Sequence, residues 1–173
     1  MNFSQNFFEL FQLTPHFDVD EAELSERFQR LQRRIHPDRF VGQGAQAERL
    51  ATQWATHINE AFATLSDRLR RAIYLLSMQA IDLEENPSLS GEFLMEQITL
   101  RESLDAAEKS GDPQVIEDFI AEIEGDSEQV AKAFGELFES KAYDEALQRV
   151  YQLQFLKKLM QSARAAEDRL LGY

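Results

Sequence analysis

Apolar residues in this chain recur every three or four positions, and stretches that alternate apolar with polar are scarce. The α-helix stacks side chains on one face at that interval, so the chain reads as all-α. Leu24, Phe28, Leu31 and Ile35, at i, i+4, i+7 and i+11, predict a helix over about 21–35 with one buried stripe. Leu50, Trp54, Ile58, Phe62 and Leu65 predict the stripe of a helix over about 45–65. A fourth helix follows through "SDRLRRAIYLLSMQA", capped by Ser66 or Asp67. Ahead of these lie a short apolar segment, "NFFELFQL", and a turn, "TPHFDVD", which offers Asp20 as an N-cap.

Glycine and proline mark the remaining boundaries. The segment "IDLEENPSLS" is acidic and then rich in proline and serine, so residues 81–90 read as a linker between a unit at 1–80 and one at 91–173. The second unit carries three helical patterns joined by short turns, which predicts a three-helix bundle. The first runs over about 91–110 and stops at Gly111, a C′ residue. Asp112 and Pro113 open the second as N-cap and N1. Its apolar phase survives Gly125, so one helix is expected there rather than two. The third runs over about 143–171.

Charge and composition exclude several functions. The net charge is −13, which disfavours nucleic-acid binding. Residues 1–81 hold 9 basic and 10 acidic side chains, and residues 82–173 hold 9 basic and 21 acidic, so the two units suit different partners. No apolar run approaches the roughly 18 residues of a membrane span. The opening "MNFSQNFFEL" lacks the basic flank and small-residue cleavage site of a secretory signal. There is no cysteine, which removes disulfides, thiolate metal sites and cysteine nucleophiles and fits a cytoplasmic address. The histidines are His16, His36 and His57, with no Glu-x-x-His pair for a bundle metal site. No phosphate-binding glycine loop or nucleophile elbow is present, so neither enzyme activity nor a cofactor is expected.

The stretch "LQRRIHPDRF" is the most informative one. Proline disfavours helical backbone in the residue before it, so the helix over 21–35 must stop at His36. His36, Pro37 and Asp38 are thereby placed at a tip between two helices. Arg27, Arg30, Arg33 and Arg34 take the flank and rear of the preceding helix, and Arg39 follows the tip. Taken alone, His-Pro-Asp is ordinary turn chemistry and the arginines an ordinary solvated face. Set between two helices of this length, behind a basic helix and a short apolar one, the triplet resembles the signature of a J-domain.

J-domains dock on DnaK-like ATPase chaperones. The resemblance implies that the basic helix meets an acidic chaperone surface while His36, Pro37 and Asp38 act on its ATPase machinery. The usual Gly/Phe-rich or cysteine-rich continuation is missing. The blocks "RAIYLL", "FLMEQ" and the closing "RLLGY" instead resemble the HscB co-chaperone family of iron–sulfur cluster biogenesis, over essentially the whole chain. That family implies an HscA/DnaK-like chaperone and an IscU-like scaffold protein as partners, with no cofactor on the chain itself.

The helix over 91–110 has two apolar sides. Phe93, Gln97, Leu100 and Leu104 gather on one face, and Leu94, Met95 and Ile98 lie opposite. Such a helix has either two neighbours in its bundle or one neighbour and one external partner. Glu102 falls within the second stripe, which fits a wet surface better than a core. The family resemblance implies that Leu94, Met95, Ile98 and Glu102, with Phe155 of the last helix, bind the scaffold. Thr99 and Ala106 stand where the family often carries acidic residues.

Overall fold

The computed structural model describes residues 4–40, 42 and 44–172, with Pro37 described by its backbone alone. The described residues form α-helices and one 3₁₀ turn, and divide into two compact units that meet between Gln79 and Ala80.

The first unit is built from α1 (Phe7–Leu10), α2 (Glu21–Ile35), α3 (Ala45–Ser66) and α4 (Arg68–Ser77), with a 3₁₀ turn at Pro37–Phe40. Side chains cap the N-termini of α1, α2 and α4. Asn6 and Glu9 form a reciprocal capping box on α1. One Asp20 oxygen accepts the N–H groups of Ala22 and Glu23 on α2, and Asp67 accepts Arg70 N–H on α4. α2 and α3 run antiparallel, with Phe28 stacked on Phe62 at 4.1 Å between centroids. Leu24, Ile58, Ala61 and Leu65 are buried at their contact.

The stripe on α3 differs from expectation at its start. Leu50 is 47% exposed, and the buried positions are Ala51, Trp54, Ile58, Ala61 and Leu65. Ala51 and Ala61 are small enough to let the helices approach. They occupy the inner positions, and this turns Leu50 out to solvent.

"RAIYLL" on α4 locks the unit. Arg71, Ala72, Leu75 and Leu76 are buried, and the Tyr74 hydroxyl accepts Phe7 N–H at 2.9 Å while its ring stacks on Phe7. Arg71 is the buried charge of this core. Its Nη1 donates to the Leu65 carbonyl at 2.6 Å, and its guanidinium lies 5.3 Å from the Phe17 ring centroid. Burial lowers the Arg71 pKa and raises that of Tyr74.

The second unit is a bundle of α5 (Gly91–Ser110), α6 (Pro113–Glu139) and α7 (Tyr143–Leu171). Ser90 caps α5, Gly111 closes it in the left-handed conformation, and Asp112 caps α6 ahead of Pro113. Phe93, Leu104, Phe119, Ile123, Tyr151, Phe155, Leu156, Leu159 and Ala163 make the main core cluster.

Residues 81–90, expected as a linker, are packed on this bundle. Glu84 N–H donates to the Tyr151 hydroxyl at 3.0 Å, and Leu83 and Leu89 lie against the core cluster. A buried tyrosine hydroxyl requires a partner, and this segment supplies it.

α6 passes unbroken through Gly125, and a Cβ placed there meets nothing within 4 Å. No close approach requires a glycine, so its entropic cost is uncompensated. Gly125→Ala is expected to raise stability by about 0.5–1 kcal/mol. Urea unfolding followed by circular dichroism will read this as a higher midpoint at unchanged slope.

Candidate functional site

Two surfaces carry the candidate residues, one on each unit. On the first, the residues flanking Pro37 form the tip. Ile35 is buried and anchors the last turn of α2, and His36 leaves the helix with φ −56° and ψ 127°, the extended backbone that a following proline favours. The 3₁₀ turn then lifts Asp38 outward, leaving its side chain 85% exposed. His36 Nδ1 lies 3.4 Å from Asp38 N and 3.5 Å from Asp38 Oδ2. Arg39 donates backbone N–H to the His36 carbonyl and Nη1 to the Arg33 carbonyl, 3.0 and 2.9 Å. These bonds meet the Arg33 and His36 carbonyls locally, and the Asp38 carboxylate remains able to accept a donor from outside. The side chain of Pro37 lies outside the described residues.

The arginines divide into two groups. Arg30, Arg33, Arg34 and Arg39 are exposed. Arg30 pairs with Glu26 at 2.6 Å in an exposed i,i+4 bridge, which contributes little. Among the described residues, Arg33 and Arg34 make no ion pair. Arg27, the fifth arginine of the expected set, turns inward rather than outward. Its guanidinium donates to the carbonyls of Phe11 and Gln12 just beyond α1, and to Glu23 at 2.5 Å. Gln12 has φ +57°, which closes the end of α1 and leaves carbonyls that only a long donor reaches. Arg27 therefore holds α1 to α2. One feature beside the tip had no signal in the sequence pattern. A crevice of about 240 Å³ opens against His36, lined also by Gln32, Ile35, Ala55, Ile58 and Asn59.

On the second unit, α5 buries Phe93, Leu104 and Ala107 and turns its other face outward. Leu94 is 47%, Met95 63% and Ile98 49% exposed. Thr99, Glu102, Asp105 and Ala106 are exposed on the same side, so acidic groups rim the apolar strip. Phe155 is less exposed than the rest of the set expected on this surface. It is 8% exposed, sits edge-on to Phe93 at 6.0 Å between centroids, and is covered by the Arg101 guanidinium at 5.6 Å. Phe155 is a core residue that orients α5. Arg101, which the sequence pattern did not single out, covers its outer side.

Among the described residues, no cluster of three or more His, Asp or Glu side chains is placed to hold a metal ion, and no helix is long and apolar enough to cross a membrane. The family model described as the HSCB C-terminal oligomerisation domain matches residues 89–164. The co-chaperone protein HscB homolog of Burkholderia multivorans is 36% identical over 165 residues, 94% of each chain. The chain belongs to the HscB co-chaperone family. The structure of the chaperone HscB from Vibrio cholerae agrees, with a TM-score of 0.87 and 34% identity over 96% of this chain and 99% of that one. The crystal structure of the human co-chaperone protein HscB shares the fold, with a TM-score of 0.89 and 23% identity over 95% of this chain and 83% of that one. Similarity along nearly the whole chain places both units, not the bundle alone, within the HscB family.

The two apolar residue types on the second unit separate cleanly by stability. Phe155→Ala is expected to cost about 3–5 kcal/mol through the cavity it leaves. Met95→Ala is expected to change stability by no more than about 0.5 kcal/mol. Urea denaturation of both variants distinguishes a core position from an outward one.

Proposed function

We propose that this HscB-family chain is a two-ended adaptor. Residues 1–80 act as a J-domain on an HscA/DnaK-like chaperone, and the bundle carries an IscU-like iron–sulfur scaffold to it. The observation that carries this reading is the Asp38 carboxylate, 85% exposed at a tip braced by Arg39 on the His36 and Arg33 carbonyls. A carboxylate so placed accepts a charge-assisted bond from a partner arginine, worth about 1.5–3 kcal/mol net. Arg30, Arg33, Arg34 and Arg39 steer the encounter with an acidic surface and make it salt-sensitive.

Leu94, Met95 and Ile98 are the apolar anchors for the scaffold, and Glu102 lies at their rim. Burying each anchor fully contributes about 1.5–3 kcal/mol before association costs are met. A modest, reversible complex follows, which suits a hand-off. Bringing scaffold and ATPase together promotes release of the cluster to acceptor proteins. The chain stimulates a reaction that its partner catalyses and is not itself an enzyme. The cluster is cargo of the scaffold, and the proposed setting is the cytoplasm.

The test is a double dissociation. Asp38→Asn is expected to abolish stimulation of the chaperone ATPase while scaffold affinity, read by calorimetry, is unchanged. Met95→Ala combined with Ile98→Ala is expected to weaken scaffold binding by at least about tenfold, or about 1.4 kcal/mol, with ATPase stimulation by the chain alone retained. Full stimulation by Asp38→Asn removes the J-domain reading. Undiminished scaffold binding by the double variant removes the α5 surface.

A further inference from the structure

The chain has no cysteine, so oxidation of its sulfur falls on methionine. It holds four methionines, of which Met1 lies outside the described residues. Met160 is part-buried against the core of the bundle, and Met78 is part-buried at the end of α4. Met95, by contrast, is 63% exposed, more than any other large apolar side chain among the described residues, and stands on the outward strip beside Leu94 and Ile98. The core cluster does not include its side chain. Its backbone is held within α5, where its carbonyl also accepts the Thr99 hydroxyl at 3.1 Å.

A thioether at this place differs from the leucine and isoleucine beside it. It fills an apolar contact as they do, but its sulfur carries a lone pair that an electrophilic oxygen accepts. Charge selects the oxidant. Glu92, Glu96 and Glu102 are exposed on α5 within two turns of Met95, in the strongly acidic half of the chain. Such a surface repels an anionic oxidant and leaves a neutral peroxide unopposed. We propose that Met95 is a reversible oxidation site, through which hydrogen peroxide switches off binding of the scaffold. This rests on the α5 scaffold surface proposed above and adds its regulation. The sulfur lone pair attacks one peroxide oxygen, and the O–O bond breaks. The second oxygen leaves as hydroxide, takes the proton of the new S–OH group and departs as water. Sulfur is oxidised to the sulfoxide by two electrons, and the peroxide is reduced by two. A thiol-dependent methionine sulfoxide reductase reverses the change, converting sulfoxide and two thiols into thioether, one disulfide and water. The sulfoxide oxygen is an acceptor with no donor of its own. Seated in an apolar contact, it loses the hydrogen bonds that water gave it, and the complex weakens. The free fold leaves this side chain in water and is unaffected.

The experiment treats the full-length chain alone with hydrogen peroxide and removes the peroxide before the scaffold is added. Mass spectrometry reads the oxidation of each methionine, and calorimetry reads the ratio of scaffold Kd after treatment to Kd before. Wild type is compared with Met95→Leu, which keeps the other three methionines. Met95 is expected to oxidise ahead of Met78 and Met160. In wild type the ratio is expected to reach about tenfold or more with unchanged circular dichroism, and to return to within about twofold of one after the reductase acts. In Met95→Leu it is expected to stay within about twofold of one throughout. Complete oxidation of Met95 with an unchanged ratio overturns the switch. So does an equal loss of affinity in wild type and Met95→Leu, or oxidation of Met78 or Met160 ahead of Met95. The double variant Met95→Ala, Ile98→Ala tells the two failures apart. If it weakens scaffold binding while the sulfoxide does not, the surface stands without the switch; if neither weakens binding, both fall.

Discussion

The edge-on contact between Phe93 and Phe155 sets what the second unit can offer to a partner. It fixes the rotation of α5 about its own axis, with the Arg101 guanidinium covering the outer side of the Phe155 ring. Once Phe93, Leu104 and Ala107 are seated in the core, the 3.6-residue period leaves Leu94, Met95 and Ile98 no position but the outside. The core needs none of the three. Their exposure is therefore a consequence of a completed bundle, and the strip is available without any part of the unit having to open. Glu102 and Asp105 rim the strip, in a half of the chain that is strongly acidic.

The first unit solves a similar problem at a helix end. α2 must stop where proline follows, and its last carbonyls must be met without burying the tip. Arg39 meets two carbonyls there, reaching back to Arg33 while its N–H closes on His36. Ile35 holds the turn from below. Farther back, Arg27 and Arg71 use buried or half-buried guanidinium groups to tie carbonyls at the ends of α1 and α3. Cations at similar spacing thus serve different ends. Arg27 and Arg71 build the unit through backbone carbonyls, while Arg30, Arg33 and Arg34 face solvent.

Much of this was legible in the residue pattern. Period fixed the helices, and Asp20, Asp67, Gly111 and Asp112-Pro113 marked their ends because each closes specific backbone groups. The departures have physical causes. Leu50 was misplaced because counting large apolar residues passes over Ala51 and Ala61, which pack as well inside a close helix pair. Arg27 was misread because helical angle locates a Cα, while a guanidinium can turn back several ångströms to a carbonyl. Phe155 was expected on the surface from the family resemblance alone, and α7 is buried on several sides, from Ala146 to Ala166, so no stripe on it marked Phe155 as an inward position. Residues 81–90 looked like a linker because the hydroxyl that holds Glu84 lies 67 residues away. The crevice had no signal at all, being defined by a small side chain and two amides.

The rotation of α5 can be measured directly, because the chain contains no cysteine and single thiols report without background. Met95→Cys and Leu104→Cys place a thiol on the outward and inward faces of the same helix. Under native conditions, a water-soluble disulfide reagent is expected to modify Met95→Cys at about the rate of an unfolded peptide, and Leu104→Cys at least about a hundredfold more slowly. Adding the iron–sulfur scaffold is expected to protect Met95→Cys. Equal rates at the two positions, or protection of Met95→Cys in the chain alone, would contradict an outward strip held open by the Phe93–Phe155 contact.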